Sequence, residues 1–235
     1  MHPPKIARYL GMVLLFLGGF MATALPFAWL DRATHPVVEE WLISIGVTPG
    51  AGILAVLWGR RASSVHTRVR LKGGSQNDLE ITRREALVIV SAVWLLCSVF
   101  GGLPLRLDGM VHSAVDAFFE AASGFTTTGS SILTEIEGNS RASLWWRSMI
   151  QWLGGMGIVV LVVAIIPQVG SGGRRLFESE APGPTKDQLR PRIRETGATL
   201  WRIYLTLTFA LTALLFLEGM GPFDAVCHAM TTMAT

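Results

Sequence analysis

Long apolar stretches alternate with polar, basic stretches along the whole 235-residue chain. A helix needs about 20 apolar residues to cross the roughly 30 Å hydrocarbon core of a bilayer. The pattern therefore predicts five membrane spans: Leu10–Leu30, Trp41–Trp58, Ala86–Leu105, Leu144–Val169 and Thr199–Leu217. A cleaved signal peptide is the alternative for the first stretch because residues 22–24 resemble a cleavage site, but the apolar run continues beyond them.

Certain residues inside these spans predict local structure. Glycine and proline residues between positions 46 and 52 predict a kinked helix, or a close contact with a neighbouring helix, in the second span. The third span is expected to break near Gly101-Gly102 and to end at Pro104. Trp145, Trp146 and Trp152 are expected to anchor the fourth span at the membrane interface.

A shorter unit, residues 113–131, lies between the third and fourth spans. Ser113 to Gly124 predicts an amphipathic helix with a capping-box start at Ser113 and Asp116, reaching only about 18 Å. The polar turn Thr126-Thr127-Thr128-Gly129-Ser130-Ser131 follows it. Irregular backbone at membrane depth is tolerated only where protein buries it or where it lines a water-filled path. The unit can therefore enter a membrane but cannot cross it.

This arrangement is typical of a cation pore loop. Extended Thr-Thr-Thr-Gly backbone would aim successive carbonyl oxygens at an ion in place of its hydration water, and Gly129 permits unusual backbone angles. The negative end of the helix dipole would face that ion. The alternative is an ordinary loop that follows a glycine C-cap at Gly124.

An internal repeat favours the pore loop. Asp116-Ala117 and Asp224-Ala225 lie 108 residues apart, and the second copy has Pro222 as a helix-start signal. In this register Thr235 corresponds to Thr127, and His228 replaces Glu120. We therefore expect the sequence to end inside a second pore loop.

Composition and charge indicate a multi-pass membrane protein with a cytoplasmic N-terminus. Half of the residues are hydrophobic and only 16% are charged. With the N-terminus inside, fifteen basic residues near the spans are cytoplasmic and four are external, and both short units enter from outside. A nucleic-acid patch is the alternative for the basic loops. No catalytic arrangement of side chains is evident, so we do not expect an enzyme.

Several ordered motifs resemble the Trk/Ktr/HKT potassium-transporter superfamily, and its Trk-H-type membrane subunit in particular. They are D-A-F-F-E-A-A-S-G-F-T-T-T-G (116–129), Q-W-L-G-G-M-G-I (151–158), A-P-G-P (181–184), R-P-R-I-R-E-T (190–196) and F-D-A-V-C-H (223–228). The resemblance implies an all-α polytopic membrane protein of repeated helix, re-entrant pore loop, helix units, preceded by an extra N-terminal transmembrane helix pair. The expected segments are that pair (1–72), the first unit (73–170), and a cytoplasmic loop with the start of the second unit (171–235).

The resemblance further implies potassium uptake across a bacterial inner membrane by a symporter or channel-like mechanism. Thr127, Thr128 and Gly129, with Thr235 opening the second filter, would bind K⁺ as the transported ion. No organic cofactor and no nucleic acid are expected. The expected partners are a second copy, forming a homodimer, and a peripheral nucleotide-binding regulatory subunit of the Trk-A type that gates the pore. The alternatives are a non-conducting membrane scaffold or sensor, or a sodium-permeable member of the same family.

Glu120 is the remaining charged candidate, because it lies on the short helix just before the threonine turn. Its carboxylate would either face the ion path or bond to neighbouring backbone behind the filter. We favour the second position, because a carboxylate that touches a dehydrated cation would hold it too tightly for rapid release.

Overall fold

The structure, a computed structural model, describes residues 3–70, 83–169 and 189–235, and every regular element in those ranges is helical. The expected segment boundaries at 72/73 and 170/171 lie outside them. The helices are α1 Pro3–Met21, a 3₁₀ turn Ala22–Ala24, α2 Leu25–Leu30, α3 Val38–Arg70, α4 Arg83–Leu107, α5 Ala114–Phe125, α6 Arg141–Val169, α7 Leu189–Leu217 and α8 Pro222–Ala234.

Long apolar helices confirm the predicted membrane architecture. In the part of the chain that the structure describes, the segments long and apolar enough to cross a bilayer are Pro3–Leu30, Val38–Arg61, Leu87–Leu107 and Gly197–Leu217. The remaining predicted span lies within α6, which is helical over 29 residues. By contrast, α5 has 12 residues and α8 has 13, too few to cross.

The chain divides into two compact units. The first comprises Met1–Phe125 and Ser130–Ile150, and the second comprises Thr126–Gly129 and Gln151–Thr235.

In the first unit, glycines let α1 and α3 approach closely. A Cβ added to Gly52 would lie 2.7 Å from the Gly11 carbonyl oxygen, and one on Gly18 would lie 2.8 Å from Pro49. Such backbone proximity is typical of packing through small residues in membranes. The expectation of close contact is confirmed for Gly52. Gly46 and Gly50 have no such neighbour, since a Cβ on either would meet nothing within 4 Å.

The short helix α5 packs on α4 by the same means. A Cβ on Gly102 would lie 2.5 Å from the Ala117 carbonyl oxygen, and one on Gly101 would lie 2.6 Å from the Phe125 ring. The predicted break near these glycines is wrong, because α4 continues through them and through Pro104 to Leu107. These glycines make room for α5 and do not end the helix.

The first turn of α6 is held by two carboxylates from elsewhere in the unit. Asp31 Oδ2 accepts the Arg141 backbone N–H at 2.9 Å. Asp108 Oδ2 accepts the hydroxyls of Ser140 and Ser143 at 2.7 and 2.6 Å and the indole N–H of Trp41 at 3.0 Å. Negative charge at a helix N-terminus is favourable because free backbone N–H groups point outward there.

Trp146, in the second turn of α6, is fully buried and donates its indole N–H to the Gly101 carbonyl at 2.7 Å. The expectation that Trp146 lies at the interface is therefore wrong. Its hydrogen bond ties α6 to the helix that carries α5.

In the second unit, α7 and α8 form an antiparallel pair joined by a tight turn. Gly219 has φ of +98°, and the next N–H, from Met220, bonds back to the Leu215 carbonyl at 3.2 Å. A left-handed glycine just past a helix end is a common C-cap. Pro222 then begins α8, as the sequence predicts.

Trp152 of α6 lies against three residues of α7. Its indole N–H donates to Thr208 Oγ1 at 3.2 Å, its carbonyl accepts the Tyr204 hydroxyl at 3.1 Å, and its ring meets that of Trp201. These contacts join α6 to α7 within the second unit.

Candidate functional site

The short helices α5 and α8 begin 108 residues apart, at Ala114 and Pro222, the spacing of the sequence repeat. Their buried alanines follow the same spacing: Ala117 with Ala225, and Ala121 with Ala229. Two short helices thus use the same face for packing, each just ahead of a threonine-containing segment.

At its start, α5 is capped by Ser113, whose Oγ accepts the Val115 N–H at 3.1 Å. Asp116 lies in its first turn. The helix ends at Phe125, one residue beyond the predicted end. Gly124 is therefore inside the last turn and not a C-cap, and its lack of a side chain makes room for Ile150, which a Cβ would meet at 2.7 Å.

The predicted filter residues follow this helix in an unusual backbone conformation. Thr126 and Thr127 form a turn, so the expectation of uniformly extended backbone is wrong there. Thr127 has φ of +55° and Gly129 has φ of +73°, whereas Thr128 is not in the positive-φ region. Thr127 is the only non-glycine residue with positive φ in the described ranges. A β-branched residue in that region is strained by about 1–3 kcal/mol, and such strain is concentrated at functional sites.

Side chains also constrain this segment. The hydroxyls of Thr126 and Thr128 are 2.8 Å apart, within hydrogen-bonding distance. On the C-terminal side, the Ser123 hydroxyl of α5 donates to the Ser130 carbonyl at 2.6 Å. The chain that leaves the turn is thereby tied back to the short helix.

Glu120 lies behind this exit segment, as favoured from the sequence. Its Oε1 accepts the Ser131 hydroxyl and the Ile132 backbone N–H, both at 2.7 Å. Its Oε2 pairs with Arg147 Nε of α6 at 3.2 Å. The residue is only 3% exposed, so its charge depends on these partners.

Gly129 and Thr235 lie close together in the second unit. A Cβ added to Gly129 would lie 4.0 Å from Thr235 Cγ2 and 3.7 Å from Gln151 Nε2. Thr235 follows the last residue of α8, and its hydroxyl donates to the Thr231 carbonyl at 3.1 Å. The predicted residues of the two repeats are thus brought together.

Gln151 was not singled out from the sequence. The available signal was a polar amide at the start of the glycine-rich motif in an otherwise apolar helix.

The oxygen atoms offered at this site are backbone carbonyls and threonine hydroxyls. In the described ranges, no group of three or more His, Cys, Asp or Glu side chains could hold a metal ion. Neutral oxygen ligands suit a weakly held monovalent cation that must also leave.

Comparison with known proteins gives consistent matches along most of the chain. The family model described as "TrkH: Cation transport protein" matches residues 63–235. The Trk system potassium uptake protein TrkH of Halomonas elongata is 38% identical over 231 residues, which is 97% of this chain and 44% of that relative. The protein of the same name from Escherichia coli K12 is 35% identical over 238 residues, covering 100% and 45%.

A solved structure is also similar. The crystal structure of the potassium transporter TrkH from Vibrio parahaemolyticus matches with a TM-score of 0.69 and 31% identity. The match covers 95% of this chain and 42% of that one. The chain therefore spans about half the length of the relatives that it matches.

Proposed function

This chain belongs to the TrkH family of cation transport proteins, and we propose that it supplies the first filter, and the start of the second, of a potassium-uptake pore. The observation that carries the proposal is the strained Thr127–Gly129 segment at the end of a helix too short to cross a membrane. The chain is a multi-pass membrane protein, and a second threonine, Thr235, lies beside that segment.

The backbone conformation supports ion coordination by carbonyl oxygens. In a regular strand, successive carbonyls point to opposite sides. Positive φ at Thr127 and Gly129, on either side of Thr128, breaks that alternation and lets neighbouring carbonyls turn toward one side. A row of such oxygens would replace the hydration shell of K⁺ without a fixed charge to trap it.

Potassium as the ion comes from the relatives, which are named potassium uptake proteins. By the same route we propose an inner-membrane location with a cytoplasmic N-terminus, further repeats that complete the pore, a homodimer, and gating by a Trk-A-type nucleotide-binding subunit. That subunit would dock on the basic loops. The second loop, residues 170–194, lies largely outside the described residues.

The test is rescue of cells that lack potassium uptake, grown at low external K⁺, by the full-length protein. Gly129→Ala should abolish rescue and lower K⁺ uptake by at least about tenfold, because alanine disfavours φ of +73° and would reset the carbonyl directions. A Cβ there meets no atom closer than 3.7 Å, so the effect would be conformational and not steric.

Gly219→Ala is the matched control. It imposes the same backbone penalty at φ of +98°, also with room for the Cβ, but in the turn between α7 and α8. This control should retain rescue at equal membrane abundance. If Gly129→Ala rescues as well as Gly219→Ala does, the filter assignment fails. If the wild-type protein takes up Na⁺ but not K⁺, the sodium-permeable alternative holds, and if it conducts neither ion, the scaffold alternative holds.

A further inference from the structure

We propose that the Glu120–Arg147 ion pair is a positioning element that sets how strongly the first filter discriminates K⁺ from Na⁺. The inference rests on the proposed function and assigns to this pair a role in selectivity beyond holding the fold. Neither residue would touch the ion.

The pair is arranged as a clamp on the chain that leaves the filter. Both oxygens of the Glu120 carboxylate are engaged: one by two donors of the exit segment, Ser131 and Ile132, and the other by Arg147. The Ser131 hydroxyl in turn accepts the Leu133 N–H at 3.1 Å. The side chains are 2% exposed for Glu120 and 23% for Arg147. Charge-assisted hydrogen bonds in such a setting are stronger and more directional than neutral ones.

The filter residues lie between two fixed points. On one side, Thr126 follows directly from the last residue of α5. On the other side, Ser130 is tied to α5 through Ser123, and the next two residues are tied through Glu120. Four residues, 126–129, span the interval. Arg147 extends the clamp to α6, so α5, the exit segment and α6 hold one another in position.

Selectivity between K⁺ and Na⁺ depends on how well the filter keeps its oxygens apart. Na⁺ is smaller, so it gains full coordination only if the oxygens move inward. A filter whose exit is held by buried, charge-assisted bonds resists that collapse. Removing the charge from Glu120 would loosen the exit and lower the cost of binding Na⁺.

The clamp belongs to the first repeat in the chain as it stands. At the position 108 residues further on, α8 carries His228, which is exposed and has no carboxylate to hold a backbone N–H. The two filters are therefore not equivalent, and the first is expected to contribute more to discrimination against Na⁺.

The experiment compares K⁺ and Na⁺ uptake in the same cells by variants of the full-length protein, at matched membrane abundance. Glu120→Gln removes the charge but keeps one acceptor, and should lower the K⁺/Na⁺ uptake ratio by about tenfold while K⁺ still enters. Asp116→Asn neutralises a carboxylate one turn earlier on the same helix, and should leave the ratio unchanged.

Ser131→Ala keeps the proposal falsifiable if Glu120→Gln does not fold. It removes one donor to the carboxylate at an exposed position without leaving a buried charge unpaired, and should lower the ratio by about twofold to threefold. A wild-type ratio in folded Glu120→Gln or in Ser131→Ala overturns the proposal. Because K⁺ uptake itself would persist in that case, the pore assignment, which Gly129→Ala tests, would stand.

Discussion

The contact between Gly102 and α5 predicts that one added methyl group will displace the pore helix. In Gly102→Ala, the new Cβ would lie 2.5 Å from the Ala117 carbonyl oxygen and 2.8 Å from its carbonyl carbon. Both atoms belong to helical backbone, which cannot move alone. Ordinary van der Waals contact begins at 3.4 Å, so α5 would have to shift by about 0.9 Å.

The energetic cost follows from two opposing terms. Overpacking of this kind costs about 1–3 kcal/mol, whereas alanine gains up to about 1 kcal/mol over glycine in helix propensity. The net expectation is a loss of about 1–2 kcal/mol, together with a displaced filter, since Thr126 follows directly from α5.

The assay is thermal unfolding of the purified full-length protein in detergent, followed by tryptophan fluorescence, together with K⁺ uptake in cells. Gly102→Ala should lower the melting temperature by about 2–4 °C per kcal/mol and should reduce uptake. Gly50→Ala is the matched control because a Cβ there meets nothing within 4 Å, so it should unfold at or above the wild-type temperature. The reasoning is refuted if Gly102→Ala matches Gly50→Ala in both stability and uptake.

Two further predictions concern single polar contacts and use the same unfolding measurement. Asp108→Ala leaves the buried Trp41 indole and the Ser140 and Ser143 hydroxyls without their shared acceptor, and should destabilise the protein by about 3 kcal/mol, with Asp108→Asn intermediate; an unchanged melting temperature for both would contradict this. Trp152→Phe removes the hydrogen bond to Thr208 and should cost about 1 kcal/mol, as should Thr208→Val, and the double variant should cost less than the two single costs combined; strict additivity would show that the bond contributes nothing.

The sequence by itself determined the membrane architecture, the two short helices and the position of the threonine turn. These properties follow from local free energies: the length of an apolar stretch, a serine cap such as Ser113, a proline at a helix start such as Pro222. The period of 108 residues needed no knowledge of packing, and the helix starts obey it. The family could likewise be identified from ordered motifs, and the comparisons confirm it.

Only the tertiary structure decided what the glycines, the tryptophans and the charged residues do. Gly102 could have broken a helix or admitted a neighbour, and Trp146 could have faced the interface or the core. The choice depends on which helix lies opposite, and a single helix does not contain that information. Glu120 finds Arg147 27 residues away, and Gly129 finds Gln151, because helix packing brings them within reach. Such contacts are set by how the helices pack against one another and not by any spacing along the chain.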